Sequence, residues 1–281
     1  KIYGNQLFLT IDIHLQFMIR QVALQAYQEH KADSVMILMM DAKNGEILSY
    51  VSIPDYNPNE ISASTEEERK NLPVFFSYEP GSVFKIFSIA SILDRGGITP
   101  ENNFHCTGIY DEITDPIKCL GIHGHVTTSG IIKYSCNVSA CYASESVDKT
   151  TFYNALKGFG FGEKPGIPLP GETTGIFRPV QEWSERTKPS ISFGQEISVS
   201  LIQMISAATV LTNNGTLLQP IIVKKILSPQ GKVISEFKRT PVRQVISPNT
   251  ALEMLEMMET ATMGNGTARG ARVEGVRISA K

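Results

Sequence analysis

A serine and a lysine three residues apart, Ser82 and Lys85, have the clearest capacity for chemistry in this sequence. Both stand at the start of an apolar stretch, "SVFKIFSIASIL", whose hydrophobic side chains surround a helix on every side, as in a buried helix. Burial lowers the pKa of a lysine, and a neutral lysine amine can activate a serine hydroxyl one turn away as a nucleophile. The alternative is a lysine that extends its ammonium group to the surface, and the helix alone leaves both open.

The Ser-x-x-Lys spacing occurs a second time, at Ser146 and Lys149. The second pair stands among charged and polar neighbours, so no apolar surface desolvates its lysine, and we interpret it as a solvated helix face. Sequence context therefore favours Ser82 and Lys85 as the reactive pair.

The hydrophobic pattern predicts the elements that position this pair. Apolar residues at helical spacing predict helices over 15–30, 127–134, 198–212 and 248–263, with further helices in "YSCNVSACYASE" and "TTFYNALKGFGFG". Two β-rich runs flank Asn44-Gly45 and predict a hairpin, a second hairpin surrounds "SPQGK", and "VRISAK" begins a final strand. Residues 96–125 are interpreted as irregular. An α+β plan follows, in which the terminal segments complete an antiparallel sheet and the buried helix packs against it.

The composition is that of a soluble globular protein. The chain has 281 residues, of which 42% are hydrophobic and 19% charged. A net charge of −2 implies no general attraction to nucleic acid or to an anionic membrane. No apolar run is long enough to span a bilayer, and no signal peptide is visible. Because the chain begins at Lys1 and ends in a strand-like segment, we expect it to be a fragment of a longer protein.

Four cysteines fall within a short part of the chain: Cys106, Cys119, Cys136 and Cys141. In an oxidising compartment Cys106 and Cys119 could form a disulfide, which is the first alternative, and free thiols are the second. The third is zinc bound by Cys106, Cys119 and one histidine, His123 or His125, although the spacing matches no standard zinc finger.

Three motifs occur in order along the chain: Ser82-Val-Phe-Lys85, then Ser135-Cys136-Asn137, then Lys281 after the Gly-rich "GNGTARGARVEG". In this the sequence resembles the transpeptidase domain of class B penicillin-binding proteins, which carry Ser-x-x-Lys, Ser-x-Asn and Lys-Thr-Gly. The segments "LTIDIHLQ", "YEPGSVFK", "PLPGETTG" and "SFGQEISVSLIQMISA" are also similar to the family, so the resemblance extends over essentially the whole chain.

The resemblance implies a fold and a domain organisation. The fold is the α+β penicillin-binding/serine β-lactamase-like fold, an antiparallel sheet packed against helices with an all-helical lobe. Residues 1–281 form the transpeptidase domain, incomplete at its C-terminus, without the N-terminal anchor and the non-catalytic domain. The location implied is the extracytoplasmic (periplasmic) face of the bacterial inner membrane.

The resemblance also implies a peptidoglycan D,D-transpeptidase that needs no cofactor and is acylated by β-lactams. Ser82 would attack a D-alanyl-D-alanine stem peptide with Lys85 as its base, and Ser135 would relay the proton toward the leaving nitrogen. Asn137 would hold the substrate amide and help position Lys85. Lys281 would bind the substrate carboxylate and keep Lys85 neutral. A membrane glycosyltransferase is the implied partner, and nucleic acid is not one.

The sequence departs from the family at its third motif, because Thr and Gly do not follow Lys281. The second oxyanion-hole donor of the family would lie just beyond, so we expect a chain ending at Lys281 to be weak or inactive alone. Two further functions stay open. One is a serine β-lactamase or β-lactam sensor, with Glu172 as the candidate deacylating base, and the other is a non-catalytic cell-wall scaffold.

Overall fold

The computed structural model describes residues 3–281 of the chain. Its α-helices are α1 Ile13–His30, α2 Leu72–Phe75, α3 Lys85–Asp94, α4 Thr128–Lys133, α5 Asn137–Glu145, α6 Lys149–Gly158, α7 Thr187–Ser192, α8 Leu201–Thr212 and α9 Pro248–Thr260. Short 3-10 turns cover Ile61–Ala63, Gly81–Phe84, Val180–Glu182 and Arg269–Ala271. Its strands are β1 Gln6–Leu9, β2 Val35–Met40, β3 Ile47–Ile53, β4 Asn103–Cys106, β5 Ile109–Tyr110, β6 Ile117–Lys118, β7 Gly124–Thr127, β8 Thr216–Leu218, β9 Val223–Leu227, β10 Val233–Glu236 and β11 Pro241–Gln244.

The helices and antiparallel strand pairs confirm the predicted α+β class. Strand β9 pairs with both β1 and β10, so the N-terminal strand and the second predicted hairpin share a three-stranded sheet. The first predicted hairpin is also confirmed, with β2 paired to β3. Alternate residues of β3 are buried, and α1 packs against this hairpin through Ala23. None of the helices within residues 3–281 combines the length and apolar character that crossing a bilayer requires.

The buried helix differs from its prediction in two respects. It begins at Lys85, since Gly81–Phe84 form a tighter 3-10 turn that holds Ser82. Its main packing partners are other helices, namely α4, α5, α6, α7 and α9, so the expectation that it packs against the sheet is wrong. A helix that is apolar on every side needs partners all round, and surrounding helices supply them where one sheet face cannot.

Two further expectations are corrected. The predicted final strand in "VRISAK" is absent from the described residues, because residues 277–281 run beside helical backbone, with Ala280 N–H donating to the Met258 carbonyl at 3.1 Å. Residues 96–125 are not irregular throughout: β4 pairs with β7, and β5 pairs with β6. These strands have only two to four residues each, too few for alternation to reveal them in the sequence.

Candidate active site

Three of the predicted site residues meet at the start of α3. The 3-10 turn carries Ser82 one turn before Lys85, and Lys85 Nζ lies 2.7 Å from Ser82 Oγ. The same Nζ donates to Asn137 Oδ1 at 2.7 Å, which joins the first residue of α5 to the first residue of α3. A candidate nucleophile, a candidate base and a group that orients the base are therefore in hydrogen-bond contact.

The Lys85 side chain has no exposed surface, and its ammonium group lies 5.7 Å from the centre of the Phe193 ring. Burial, reinforced by the positive charge of Lys281, lowers the pKa of Lys85 to about 7. About half of the lysine is then a free amine at pH 7, against roughly 0.03% for a lysine of ordinary pKa. The site thus contains a lysine that is about half neutral at pH 7 and can serve as a base.

Lys281 lies on the α4 side of the site, where its Nζ donates to the Ile132 carbonyl at 3.0 Å. Burial lowers the pKa of Lys281 to about 8, so most of it remains charged at pH 7. The order of the two pKa values makes Lys85 the group that loses its proton first, and Lys281 the group that keeps its charge.

Ser135 lies in the turn between α4 and α5, and Asn137 is the first residue of α5. Ser135 is almost fully buried and has a φ of +58°, a left-handed conformation that is uncommon for a residue other than glycine. Such conformations concentrate at functional sites, where surrounding structure holds them. Cys136 is the N-cap of α5, and its Sγ accepts the Ser139 N–H at 3.4 Å.

The turn that carries Ser82 is supported by a segment that the sequence reasoning treated only as a match to the family. Gly81 N–H donates to the Gly194 carbonyl at 2.9 Å, and Tyr78 and Val199 exchange backbone hydrogen bonds of 2.9 and 3.0 Å. Gly194 has a φ of +85°, and a Cβ atom there would overlap the Gly81 carbonyl oxygen. The sequence signal was the glycine in "SFGQE", which the positive φ and the close approach to Gly81 both require.

The two alternative sets of residues are placed elsewhere. Ser146 is the C-cap that follows α5, and Lys149 is the first residue of α6, so the expected shared helix face is wrong. Ser146 Oγ donates to the Ala143 carbonyl, and Lys149 Nζ donates to the Ser184 carbonyl. Glu172 Oε1 accepts the N–H groups of Gly166 and Ile167 at 3.0 and 3.1 Å, which occupies that oxygen within its own loop.

The four cysteines, all within the described residues, are free thiols, so the Cys106–Cys119 disulfide is not formed in this structure. Cys106, Cys119, His123 and Cys136 place one donor atom each within 4.8 Å of the others. The sequence reasoning included the first three of these as zinc ligands and missed Cys136, which belongs to the second motif. Cys141 lies apart, with its Sγ donating to the Pro189 carbonyl at 3.7 Å.

Known proteins share the sequence pattern and the fold of this chain. A profile of the family described as "Penicillin binding protein transpeptidase domain" matches residues 35–281. The chain is 33% identical to stage V sporulation protein D of Bacillus subtilis, over 99% of this chain and 44% of that protein. It is 31% identical to the Neisseria flavescens protein named "Probable peptidoglycan D,D-transpeptidase PenA", over 99% of this chain and 66% of that protein.

The crystal structure of penicillin-binding protein 3 from Mycobacterium tuberculosis, complexed with aztreonam, superposes with a TM-score of 0.90 at 28% identity. It covers 97% of this chain and 62% of that one. The chain thus spans between 44% and 66% of the curated relatives it matches first. The ordered motifs, the fold and the family profile agree, and the chain belongs to the penicillin-binding protein transpeptidase domain family.

Proposed function

We propose that the protein is a serine D,D-transpeptidase that cross-links peptidoglycan stem peptides and is acylated by β-lactams. The observation that carries the proposal is the 2.7 Å contact between Ser82 Oγ and a fully buried Lys85 whose pKa is lowered to about 7. The relatives support it, since one is named a D,D-transpeptidase and the M. tuberculosis protein was crystallised with aztreonam.

In the first half-reaction, Ser82 Oγ forms a bond to the carbonyl carbon of the penultimate D-alanine, and neutral Lys85 takes the hydroxyl proton. The C–N bond to the terminal D-alanine then breaks. Ser135 relays a proton to the departing nitrogen, which leaves as an amine. Asn137 Oδ1 holds Lys85 in place and its Nδ2 group donates to the carbonyl of the substrate amide, while the Lys281 ammonium pairs with the terminal carboxylate.

In the second half-reaction, an amine from a neighbouring stem peptide attacks the Ser82 ester. The new amide bond forms as the bond to Ser82 Oγ breaks, and the proton returns to the serine through the Lys85 amine. A β-lactam mimics the D-alanyl-D-alanine end, but its opened ring stays attached to Ser82. This difference accounts for inhibition by a compound that uses the same first step.

The substrate fixes the setting of the proposed reaction. Peptidoglycan stem peptides lie outside the cytoplasmic membrane, so the proposed activity requires an extracytoplasmic location. A membrane glycosyltransferase that makes the glycan strands is the proposed partner, because cross-linking acts on its product. A β-lactamase is less favoured, since Glu172 Oε1 is engaged by two backbone N–H groups of its own loop.

Intact mass after incubation of the full-length protein with benzylpenicillin tests the proposal. We expect a stable increase equal to one penicillin molecule in the parent protein and none in Ser82→Ala. Ser146→Ala, which removes the serine of the second Ser-x-x-Lys pair, is the matched control and should be acylated like the parent. Release of D-alanine from a synthetic stem peptide then tests the natural reaction.

Each result discriminates between the three functions. Rapid loss of the adduct with turnover of penicillin would support a β-lactamase. Absence of any adduct in the folded full-length protein would support a scaffold, and an adduct that persists in Ser82→Ala would remove Ser82 as the nucleophile.

A further inference from the structure

The side chains of Cys106, Cys119, His123 and Cys136, called here the Cys3His cluster, meet beside the turn that carries Ser135 and Asn137. We propose that the Cys3His cluster is a zinc site, and that the bound ion stabilises the conformation of the Ser135–Asn137 turn. The metal binding stands independently of the transpeptidase reaction, whereas its effect on the turn rests on the proposed function.

The distances between the donor atoms match a tetrahedral zinc ion. With Zn–S bonds of about 2.3 Å and Zn–N bonds of about 2.05 Å, two sulfurs lie about 3.8 Å apart, and a sulfur and a nitrogen about 3.6 Å. Cys119 Sγ lies 3.8 Å from Cys136 Sγ. His123 Nδ1 lies 3.5 Å from Cys119 Sγ and 3.6 Å from Cys106 Sγ. The remaining pairs are within 4.8 Å, so closing the tetrahedron needs only small movements.

The chemistry of the donor set selects zinc over a disulfide. A disulfide joins two sulfurs at about 2.05 Å, which would leave the third sulfur and the imidazole of the cluster without a role. Three thiolates and one imidazole are a standard structural zinc set. Cys106 and Cys136 are fully buried, and Cys119 and His123 are half-buried, so four protein ligands would close the site against solvent.

Each ligand comes from a different element. Cys106 ends β4, Cys119 follows β6, His123 precedes β7, and Cys136 caps α5. An ion shared by them would therefore tie the short strand pairs, which bury little surface of their own, to the start of α5.

Hydrogen bonds to the sulfurs connect the cluster with the proposed catalytic groups. The N–H of Asn137 donates to Cys119 Sγ at 3.3 Å, and Ser139 Oγ donates to Cys136 Sγ at 3.1 Å. Such contacts orient ligating sulfurs in metal sites. Because Asn137 Oδ1 also accepts from Lys85, Asn137 alone links the cluster to the proposed base, through one hydrogen bond at its backbone N–H and one at its side chain. An ion here would hold Ser135 in its left-handed conformation.

Metal content of the full-length protein, purified without chelator, tests the site. We expect about one zinc ion per chain by plasma mass spectrometry, and an X-ray absorption spectrum with three Zn–S bonds near 2.3 Å and one Zn–N bond. Cys119→Ser and His123→Ala should lose most of the zinc. Two matched controls should keep it: Cys141→Ser, a buried cysteine outside the cluster, and His125→Ala, whose ring packs against His105 on the neighbouring strand.

If a variant of a zinc ligand fails to fold, measurements on the parent protein alone still test the proposal. A parent that takes up no zinc when supplied with one equivalent, and in which Cys106, Cys119 and Cys136 all titrate as free thiols, would overturn the site. A mass lower by two hydrogens, which reverts on reduction, would show a disulfide instead and would also overturn it.

The effect on the turn is measured separately. Chelation should slow penicillin acylation of Ser82 at least tenfold, and one equivalent of zinc should restore it. Unchanged acylation in zinc-free protein would overturn the positioning role while leaving the site intact. A zinc-loaded protein that penicillin never acylates would contradict the proposed function and not the metal site.

Discussion

Replacing Lys281 by methionine is expected to change the pH dependence of Ser82 acylation in two separate ways. In the parent, the proposed mechanism requires Lys85 neutral, with a pKa of about 7, and Lys281 charged, with a pKa of about 8. The rate should then follow a narrow bell centred near pH 7.5. About 60% of the protein has both groups in the required state at the maximum and about 9% at pH 6 or pH 9, roughly a sixfold fall on each side.

In Lys281→Met the alkaline limb should disappear, because the group that loses its charge there is gone. The acid limb should move to higher pH, because the Lys281 charge helps to lower the pKa of Lys85. If the pKa of Lys85 rose by about one, the neutral fraction of Lys85 at pH 7 would fall from about one-half to about one-tenth. Loss of the charged partner of the substrate carboxylate should lower the whole profile by roughly tenfold or more.

The assay is the second-order rate of acylation by a fluorescent penicillin between pH 5.5 and pH 10. Lys149→Met, in the second Ser-x-x-Lys pair, is the control and should reproduce the parent profile. An acid limb with the same midpoint in parent and Lys281→Met would refute the electrostatic coupling of the two lysines. An alkaline limb that survives the substitution would refute the role of Lys281 as the group titrating there.

Three other substitutions test the supports of the site. Gly194→Ala should misplace the Ser82 turn, because its Cβ would overlap Gly81, and acylation should fall at least tenfold in protein whose circular dichroism is unchanged. Glu172→Leu should reduce the free energy of unfolding by about 1–3 kcal/mol in urea titrations, but leave the lifetime of the penicillin adduct unaltered; a longer lifetime would show that Glu172 assists deacylation. Ser88→Ala should cost about 1–3 kcal/mol in the same titrations, since the Ser192 carbonyl that Ser88 bonds at 2.6 Å would lose a buried donor, and no loss of stability would contradict this.

Much of the fold could be predicted because local patterns agree with the final structure. The helix α1 and the β2–β3 hairpin carry clear periodicities and a tight-turn pair, so their positions are fixed by neighbouring residues. The segment "VRISAK" was wrongly predicted to be a strand. An extended apolar segment forms a strand only if another strand lies beside it, and the local sequence does not show this. The strand pairs β4–β7 and β5–β6 were missed because their strands are too short to show an alternation of apolar and polar residues.

Part of the candidate site could also be predicted from the sequence, and part could not. Ser82 and Lys85 could be paired from the sequence, since three residues in helical backbone bring two side chains together. The contact from Asn137 to Lys85 spans 52 positions in the chain and required the resemblance to the family. That Cys136 belongs to the Cys3His cluster could not be inferred from the sequence. Its distance from His123 depends on how β7 and α4, which lie between them in the chain, fold back and bring the two residues together.

The burial of Lys85 has a consequence for folding as well as for chemistry. The unfolded chain holds a proton on this lysine up to its ordinary pKa of 10.5, while the folded chain releases it near pH 7. The unfolded state therefore binds more protons between these pH values, and linkage makes the folded state gain stability as pH rises through this range. At and below pH 7 the penalty is on the order of 5 kcal/mol.

Lys85→Met should accordingly be inactive yet more resistant to heat than the parent at pH 7, with the advantage shrinking toward pH 10. Calorimetry at the two pH values measures this, and an equal or lower melting temperature for Lys85→Met at pH 7 would contradict it. The sequence thus retains a destabilising residue at the centre of its core, and selection for thermostability alone should replace the proposed base before most other residues.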